Sequence, residues 1–146
     1  MTLENLLGRS LEQVAPDAST IKRLLEASER SLTDAKLAGI SPEGRFDMAY
    51  KAIMQLSNLA LQANGFRTLT SKPGHHQTMI QTLPMTINLD TDSVIVLDSL
   101  RKQRNVIDYS GDVVSASMAN MAVEQAESLH ALVVKWLSHT RAELLL

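Results

Sequence analysis

The sequence predicts an all-α domain, an antiparallel four-helix, up-down bundle with short extra helices. Four long stretches carry apolar residues at helical spacing, and glycine, proline and capping residues separate them. No stretch alternates apolar and polar residues with a period of two, so we expect no sheet. A chain of 146 residues is long enough to bury one core, and we therefore expect a single domain over residues 1–146.

The first segment, residues 1–14, reads as an N-terminal arm ahead of a bundle that spans residues 16–139. Gly8 makes this arm weak as an independent helix. Its apolar side chains nevertheless recur at helical spacing, at Leu3, Leu6, Leu7, Leu11 and Val14. We expect the arm to pack on the bundle or on a second subunit.

The first two bundle helices have clear local boundaries. Ala15-Pro16-Asp17 opens one helix, which Gly39 ends. Ser41-Pro42-Glu43 combines a capping hydroxyl, a proline at the first helical position and a carboxylate near the positive end of the dipole. This second helix is expected to end near Asn64. Tyr50 lies in its apolar stripe and is expected to be a core residue with a hydrogen-bonded hydroxyl.

Residues 66–93 form the least regular part of the chain. We expect a loop over residues 68–74, followed by a short helix over residues 75–83 that Pro84 stops. A further connection ends in Asp90-Thr91-Asp92, which are acceptable caps for the third long helix.

Ser110-Gly111-Asp112 breaks the third long helix, and the last helix is expected to run from Asp112 to about His139. Met118, Leu129 and Trp136 are among the residues expected on its apolar side.

Composition excludes several classes of protein. The chain has no cysteine, which excludes disulfides and thiolate zinc sites and suits a reducing cytosol. A formal net charge of -2 and 3% aromatic residues argue against bulk attraction to nucleic acid and against a base-stacking platform. No apolar run is long enough to span a bilayer, and the N-terminus lacks the pattern of a signal peptide. We expect a cytoplasmic protein without a membrane partner.

Motifs for cofactors and metals are also missing from the sequence. The glycines are isolated, so there is no phosphate-binding glycine loop. Glu127-Ser128-Leu129-His130 has Glu-x-x-His spacing once, whereas a di-iron bundle needs it twice. We expect no cofactor and no metal site, and we interpret His130 and His139 as structural residues.

The third helix carries an unusual polar face. Arg101, Arg104, Asn105 and Asp108 are spaced i, i+3, i+4 and i+7, so one side of the helix presents all four. Arg104 borders the apolar stripe of this helix, where a guanidinium must find acceptors or face a partner chain. An Arg104–Asp108 pair within the helix is the structural alternative, and spacing alone does not decide between the two.

His75-His76 is the only histidine cluster, and it lies at the start of the predicted short helix. One interpretation is a proton donor and acceptor, or a phosphate contact at a helix start. The other is a capping and packing pair.

Several segments together resemble the HEPN superfamily. Arg101-x-x-Arg104-Asn105-x-x-x-Tyr109, followed by a Gly/Asp turn, resembles the signature helix of that family. Three further segments occur in matching order, and the resemblance extends over residues 16–139. The segment at 46–52 is similar to the "Ala-Tyr-x-Ala" helix of the family. The segment at 60–67 is similar to the end of that helix, and the segment at 74–76 to the start of the next one.

This resemblance implies an antiparallel helical bundle and a homodimer whose signature helices meet at the two-fold axis. Many HEPN members resemble metal-independent ribonucleases of toxin or phage-defence systems, and others are partners of small nucleotidyltransferases. In the ribonuclease members an arginine and a polar residue precede a histidine by four to six positions. Arg104 and Asn105 match the first two elements, but Tyr109, Ser110 and Gly111 occupy the window where the histidine is expected.

Three functions follow as hypotheses. The first is a dimeric HEPN-like module of a toxin–antitoxin or defence-type system. Its cleft would recognise RNA or nucleotide phosphate and would be formed by Arg101, Arg104, Asn105, Asp108 and Tyr109. A cognate antitoxin or nucleotidyltransferase would be its partner. The second is a metal-independent endoribonuclease, in which Arg104 stabilises the phosphorane, Asn105 orients, and Tyr109 or His75/His76 moves the proton. The third is a non-catalytic partner subunit, or a dimer whose polar face only fixes register through ion pairs.

Overall fold

The computed structural model describes residues 2–146, and this part of the chain is largely helical, as predicted. Two short 3₁₀ turns, Glu4–Leu6 and Ala142–Leu145, lie near the ends. Between them the described chain forms these helices: α1 (Ala18–Ala35), α2 (Pro42–Ala63), α3 (His75–Gln81), α4 (Leu83–Thr86), α5 (Thr91–Ser110) and α6 (Ala116–Thr140).

The starts of the long helices are set by local capping. Asp17 caps α1, Ser41 caps α2 and Asp90 caps α5, each with a side-chain oxygen that accepts from the backbone N–H three residues later. Gly111 ends α5 in the left-handed region at φ 73°, which a residue without Cβ adopts without strain. These boundaries confirm the predicted ones.

The core is centred on α2, which packs against α1 on one side and α6 on the other. Phe46, Ile53 and Leu59 of α2 are 1% exposed or less. The facing side of α6 presents Ala119, Ala122 and Ala126, whose small side chains let the two helices approach closely.

The third long helix, α5, is placed differently. It contacts mainly α3 and α4, and its first half also borders α6 near Leu97 and Leu129. The strict four-helix arrangement therefore stays a prediction. Within the described residues, no helix combines the length and apolarity needed to cross a bilayer.

The expectation of no sheet was wrong. Leu11–Gln13 (β1) and Phe66–Thr68 (β2) pair antiparallel, with Leu11 opposite Thr68 and Gln13 opposite Phe66. Gly8, at φ 78°, turns the chain out of the helical spacing predicted for the arm. Met1 lies outside the described residues.

The arm packs on the bundle within one chain. Leu11 is fully buried in a small apolar cluster with Leu3, Leu61 and Phe66. These contacts join β1 to the end of α2 and stabilise the paired strands. A short isolated helix in the arm would be only marginally stable.

Three further boundaries differ from the predicted ones. Helix α1 ends at Ala35, and Gly39, at φ 82°, lies beyond it in the connection to α2. The short helix predicted over residues 75–83 ends at Gln81, and Pro84 lies inside α4 instead of stopping a helix. Proline is tolerated there because the first turn of a helix needs no N–H from it. The last helix begins at Ala116 instead of Asp112, because the Ser115 side chain accepts from Met118 N and caps it there.

Candidate functional site

A groove with a volume of about 600 Å³ runs along one side of α2. Its polar lining includes Asp47 and Lys51 of α2, His75 and His76 of α3, and Arg104 of α5. The structure thus places the histidine pair and the lead arginine of the sequence on one surface, although 28 positions separate His76 from Arg104 along the chain.

The rest of the groove is mainly apolar. Met48 and Met54 of α2, Met79 of α3 and Leu24 of α1 line it. Methionine thioethers are polarizable and adapt their shape, so such a wall can accept a flat or irregular apolar group. The groove therefore combines Arg104, Lys51, the histidine pair and the Asp47 carboxylate with an adaptable apolar wall.

Arg104 points inward, on the side of α5 that also carries the buried Leu97 and Leu100. Its Cζ lies 4.8 Å from the centroid of the Tyr50 ring, within the range of a cation–π contact. The side chain remains 37% exposed, so part of the guanidinium faces the groove that it lines.

The Arg104 Nε lacks a hydrogen-bond partner within residues 2–146, and this atom is buried. Asp108 Oδ2 is 3.7 Å from it, which is beyond hydrogen-bond distance. The Arg104–Asp108 pair expected from the sequence is therefore long, and it leaves a buried N–H donor without an acceptor. Such a donor costs free energy until an acceptor binds to it.

Tyr50 is the buried tyrosine that the sequence predicts, and its hydroxyl has a partner. The side chain is 1% exposed, and its hydroxyl oxygen lies 3.3 Å from His76 Nδ1. Burial raises the pKa of Tyr50, against the opposing charges of Arg104 and Arg101 and the hydrogen-bonding proximity of the Arg104 guanidinium. The hydroxyl therefore keeps its proton at neutral pH.

The two histidines begin α3, after Gly74 at φ 81°. Their rings meet edge to face, with centroids 4.8 Å apart. Burial lowers the pKa of His76, and the neighbouring His75, Arg104 and Arg101 lower it further. His76 is therefore neutral near pH 7.

Arg101, a predicted binding residue, is already paired. Its Nε donates to Asp98 Oδ1 at 2.8 Å, and both side chains are about 15% exposed. Burial of Asp98 works against ionisation, but the hydrogen bond and the charge from Arg101, together with Lys102, lower the pKa of this carboxyl. The pair occupies Arg101 within α5, and Arg101 does not line the groove.

The remaining residues of the predicted polar face point elsewhere. Tyr109 is 92% exposed, Asn105 is exposed, and neither lines the groove. Asp108 is also exposed, and its only contact with the site is the long approach to Arg104. The four residues predicted to share one face are therefore divided between an inner and an outer side of α5.

Reasoning from the sequence missed three features of this site. Asp98 lies three positions before Arg101, and that spacing could have identified the pair. The apolar stripe of α2 predicts Tyr50 as a core residue, and nothing in the sequence marks Lys51. No local signal connects either of them with Arg104 on α5.

The residues interpreted as structural make structural contacts. His130 Nε2 lies 3.0 Å from Glu29 Oε2 and so connects α6 with α1. His139 Nδ1 lies 2.9 Å from the Lys135 carbonyl oxygen, one turn earlier in α6. Among residues 2–146, no group of three or more histidine, cysteine or acidic side chains is placed to hold a metal ion.

Comparison of the chain with protein-family models, with curated proteins and with solved structures gave no match. The HEPN resemblance therefore stays a prediction from the four sequence motifs.

Proposed function

We propose that the groove along α2 binds a phosphate group of RNA or of a nucleotide, with Arg104 as its principal contact. The observation that carries this proposal is the buried Arg104 Nε, which has no acceptor within residues 2–146. A guanidinium presents several N–H donors in a fixed fork that matches phosphate oxygens. Part of the Arg104 side chain is exposed at the groove, where a phosphate would supply an acceptor for the guanidinium.

The neighbouring side chains suit the same ligand. Lys51 adds a second cation, and His75 and His76 add ring nitrogens at the same groove, which the Asp47 carboxylate also lines. The apolar wall of Met48, Met54 and Met79 offers a surface for the base or sugar that a phosphate carries. Because the cations are few, affinity depends on this local geometry and not on the overall charge of -2.

A second candidate function is a metal-independent endoribonuclease, and the histidines at the groove favour it. In such a reaction the 2′-hydroxyl oxygen attacks the adjacent phosphorus, the bond to the 5′-oxygen breaks, and a cyclic 2′,3′-phosphate forms. A base takes the 2′-hydroxyl proton, an acid returns a proton to the 5′-oxygen, and a cation stabilises the phosphorane. His75, His76 and Arg104 are the groups for these roles; the exposed Tyr109 and Asn105 are not.

A homodimer, and membership of a toxin–antitoxin or defence-type system beside an antitoxin or nucleotidyltransferase, form the wider part of the proposal. In its support, three of the segments that resemble HEPN motifs supply Tyr50, His76 and Arg104. The buried Tyr50 contacts the other two side chains, and these two line the groove. Sedimentation equilibrium of the wild-type chain tests the dimer, and a monomer at every concentration would contradict it.

The experiment that tests phosphate binding is a titration of a fluorescent oligoribonucleotide, and of a fluorescent mononucleotide, in the presence of a chelator. We expect Arg104→Gln to weaken binding by about 10- to 100-fold, the equivalent of a charge-assisted hydrogen bond of about 1.5–3 kcal/mol. Arg30→Gln is the matched control, because Arg30 is an exposed arginine of α1 outside the groove. Equal affinity of wild type and Arg104→Gln would contradict the proposal.

The same samples decide between binding and catalysis. A denaturing gel of the RNA after incubation shows cleavage if the second candidate is correct, and His75→Gln must then abolish cleavage while binding is retained. Intact RNA with specific binding would leave the groove as a recognition site.

A further inference from the structure

Tyr50 occupies the point where three helices meet at the groove. Its ring is stacked on the ring of Phe46, one turn earlier in α2, with 6.4 Å between the ring centroids. The centroid of the Tyr50 ring lies 5.9 Å from the centroid of the His76 ring of α3 and 4.8 Å from Arg104 Cζ of α5. Tyr50 therefore contacts a histidine of α3 and an arginine of α5 in addition to its apolar neighbours.

The direction of the Tyr50–His76 hydrogen bond follows from the available donors and acceptors. The Tyr50 hydroxyl proton is buried, and His76 Nδ1 is its hydrogen-bond partner in the described chain. Arg104, the other polar neighbour, has only donors and cannot accept that proton. Because a buried donor is costly when unpaired, the hydroxyl donates and Nδ1 accepts.

We propose that Tyr50 is a positioning residue, whose hydroxyl holds His76 in the tautomer with the proton on Nε2 while its ring seats Arg104. His76 lines the groove, and its Nδ1 is occupied by Tyr50, so Nε2–H is the donor left for a ligand. The role toward a phosphate rests on the proposed function, whereas the tautomer is a property of the free protein.

The charges around His76 favour the neutral form of its ring, which is the form that can accept the hydrogen bond from Tyr50. His75 of α3 and Arg104 and Arg101 of α5 all oppose a positive charge on the ring, and Tyr50 of α2 is a neutral donor. Burial also lowers the pKa of His76, so the neutral ring that accepts from Tyr50 is the form present near pH 7.

This arrangement gives the two histidines different roles. His76 is a fixed N–H donor beside Arg104, and its accepting nitrogen is occupied. The Tyr50 hydroxyl does not hold His75, which is therefore the histidine available to accept a proton from a ligand.

The test uses ¹⁵N-labelled full-length protein and spectra that correlate the ring nitrogens and ring protons of histidine. We expect His76 to show an unprotonated Nδ1 and a protonated Nε2 near neutral pH in the wild type. Tyr50→Phe keeps the ring but removes the hydroxyl, and it is expected to give a mixture of tautomers and a higher pKa of His76. Tyr109→Phe, the same change at the exposed tyrosine, is the matched control and should alter neither.

The same variants are titrated with the fluorescent oligoribonucleotide. We expect Tyr50→Phe to bind about two- to tenfold more weakly, as for the loss of one neutral hydrogen bond, and Tyr109→Phe to bind as the wild type does. A protonated Nδ1 in the wild type, or an unchanged tautomer in a folded Tyr50→Phe, would overturn the proposed hydrogen bond.

The two proposals fail in different ways. If the tautomer changes in Tyr50→Phe but RNA affinity does not, the positioning role toward the ligand is wrong. If the wild type binds no RNA or nucleotide at all, the proposed function is wrong, whereas the tautomer result stands by itself. Thermal unfolding of Tyr50→Phe shows whether a loss of binding reflects a loss of fold.

Discussion

Helices α2 and α5 have similar lengths, 22 and 20 residues, but they bury their side chains very differently. Twelve residues of α2 are buried, from Phe46 to Ala63, and the helix packs mainly between α1 and α6. In α5 only Leu97 and Leu100 are buried, and the inner side beyond them carries Arg101 and Arg104. The first helix is mainly a source of stability, whereas the second places charge beside a groove.

This difference shows where function costs stability. Burying a guanidinium donor without an acceptor is unfavourable, and a leucine at position 104 would continue the stripe of Leu97 and Leu100. A residue that weakens its own helix in this way is expected at a site that binds something. The contrast therefore predicts large effects on stability in α2 and effects on binding in α5.

The largest effect on stability is expected in α2. Ile53 is fully buried, so Ile53→Ala should lower the free energy of unfolding by about 2–5 kcal/mol, through lost burial and the cavity left behind. Val106, at the outer side of α5, is 52% exposed, and Val106→Ala should change the free energy of unfolding by less than about 0.5 kcal/mol. Denaturation with urea measures both. Similar losses in the two variants would contradict the contrast between the helices.

A smaller effect is expected from the pH dependence of His76. Because burial and its cationic neighbours lower the pKa of His76 in the fold, the unfolded chain binds the proton more readily. The contribution to stability is fully present above the ordinary pKa of 6.5 and is lost as the pH falls through that value toward the lower pKa of the folded state.

We therefore expect His76→Gln to lose less stability than the wild type between about pH 7.5 and 5.5. His139→Gln, at the exposed end of α6, is the control and should follow the wild type. Urea denaturation at each pH measures the difference. A wild-type protein that becomes more stable on acidification, by an amount that His76→Gln removes, would show that the pKa of His76 is raised in the fold and not lowered.

The parts of the fold that the sequence could predict are those set by neighbouring residues. Asp17, Ser41 and Asp90 cap their helices through contacts only three residues away, and Gly111 ends α5 through its own backbone. Strands β1 and β2 could not be predicted in this way. Their pairing joins residues that are far apart in the sequence, such as Glu12 and Arg67. It is stabilised by a shared apolar cluster that no local sequence pattern reveals.

The candidate site was predicted only in its parts. Arg104 and the histidine pair were named from spacing and clustering, but the meeting of α3 with α5 depends on tertiary packing. Helical spacing groups Asn105 with Arg104, and the resemblance to the HEPN signature helix adds Tyr109. Helical rotation carries them to the exposed side, and the core tyrosine Tyr50 takes the place beside Arg104.

The most direct test of phosphate binding at the groove observes the Arg104 Nε–H itself. In ¹⁵N–¹H spectra of the arginine side chains, Arg104→Gln identifies the Arg104 signal, and a short oligoribonucleotide is then added to the wild type. We expect the Arg104 Nε–H signal to move downfield as it gains an acceptor, while that of Arg30 stays in place. Binding of RNA that shifts other arginines and leaves Arg104 unchanged would contradict the assignment of Arg104 as the principal contact.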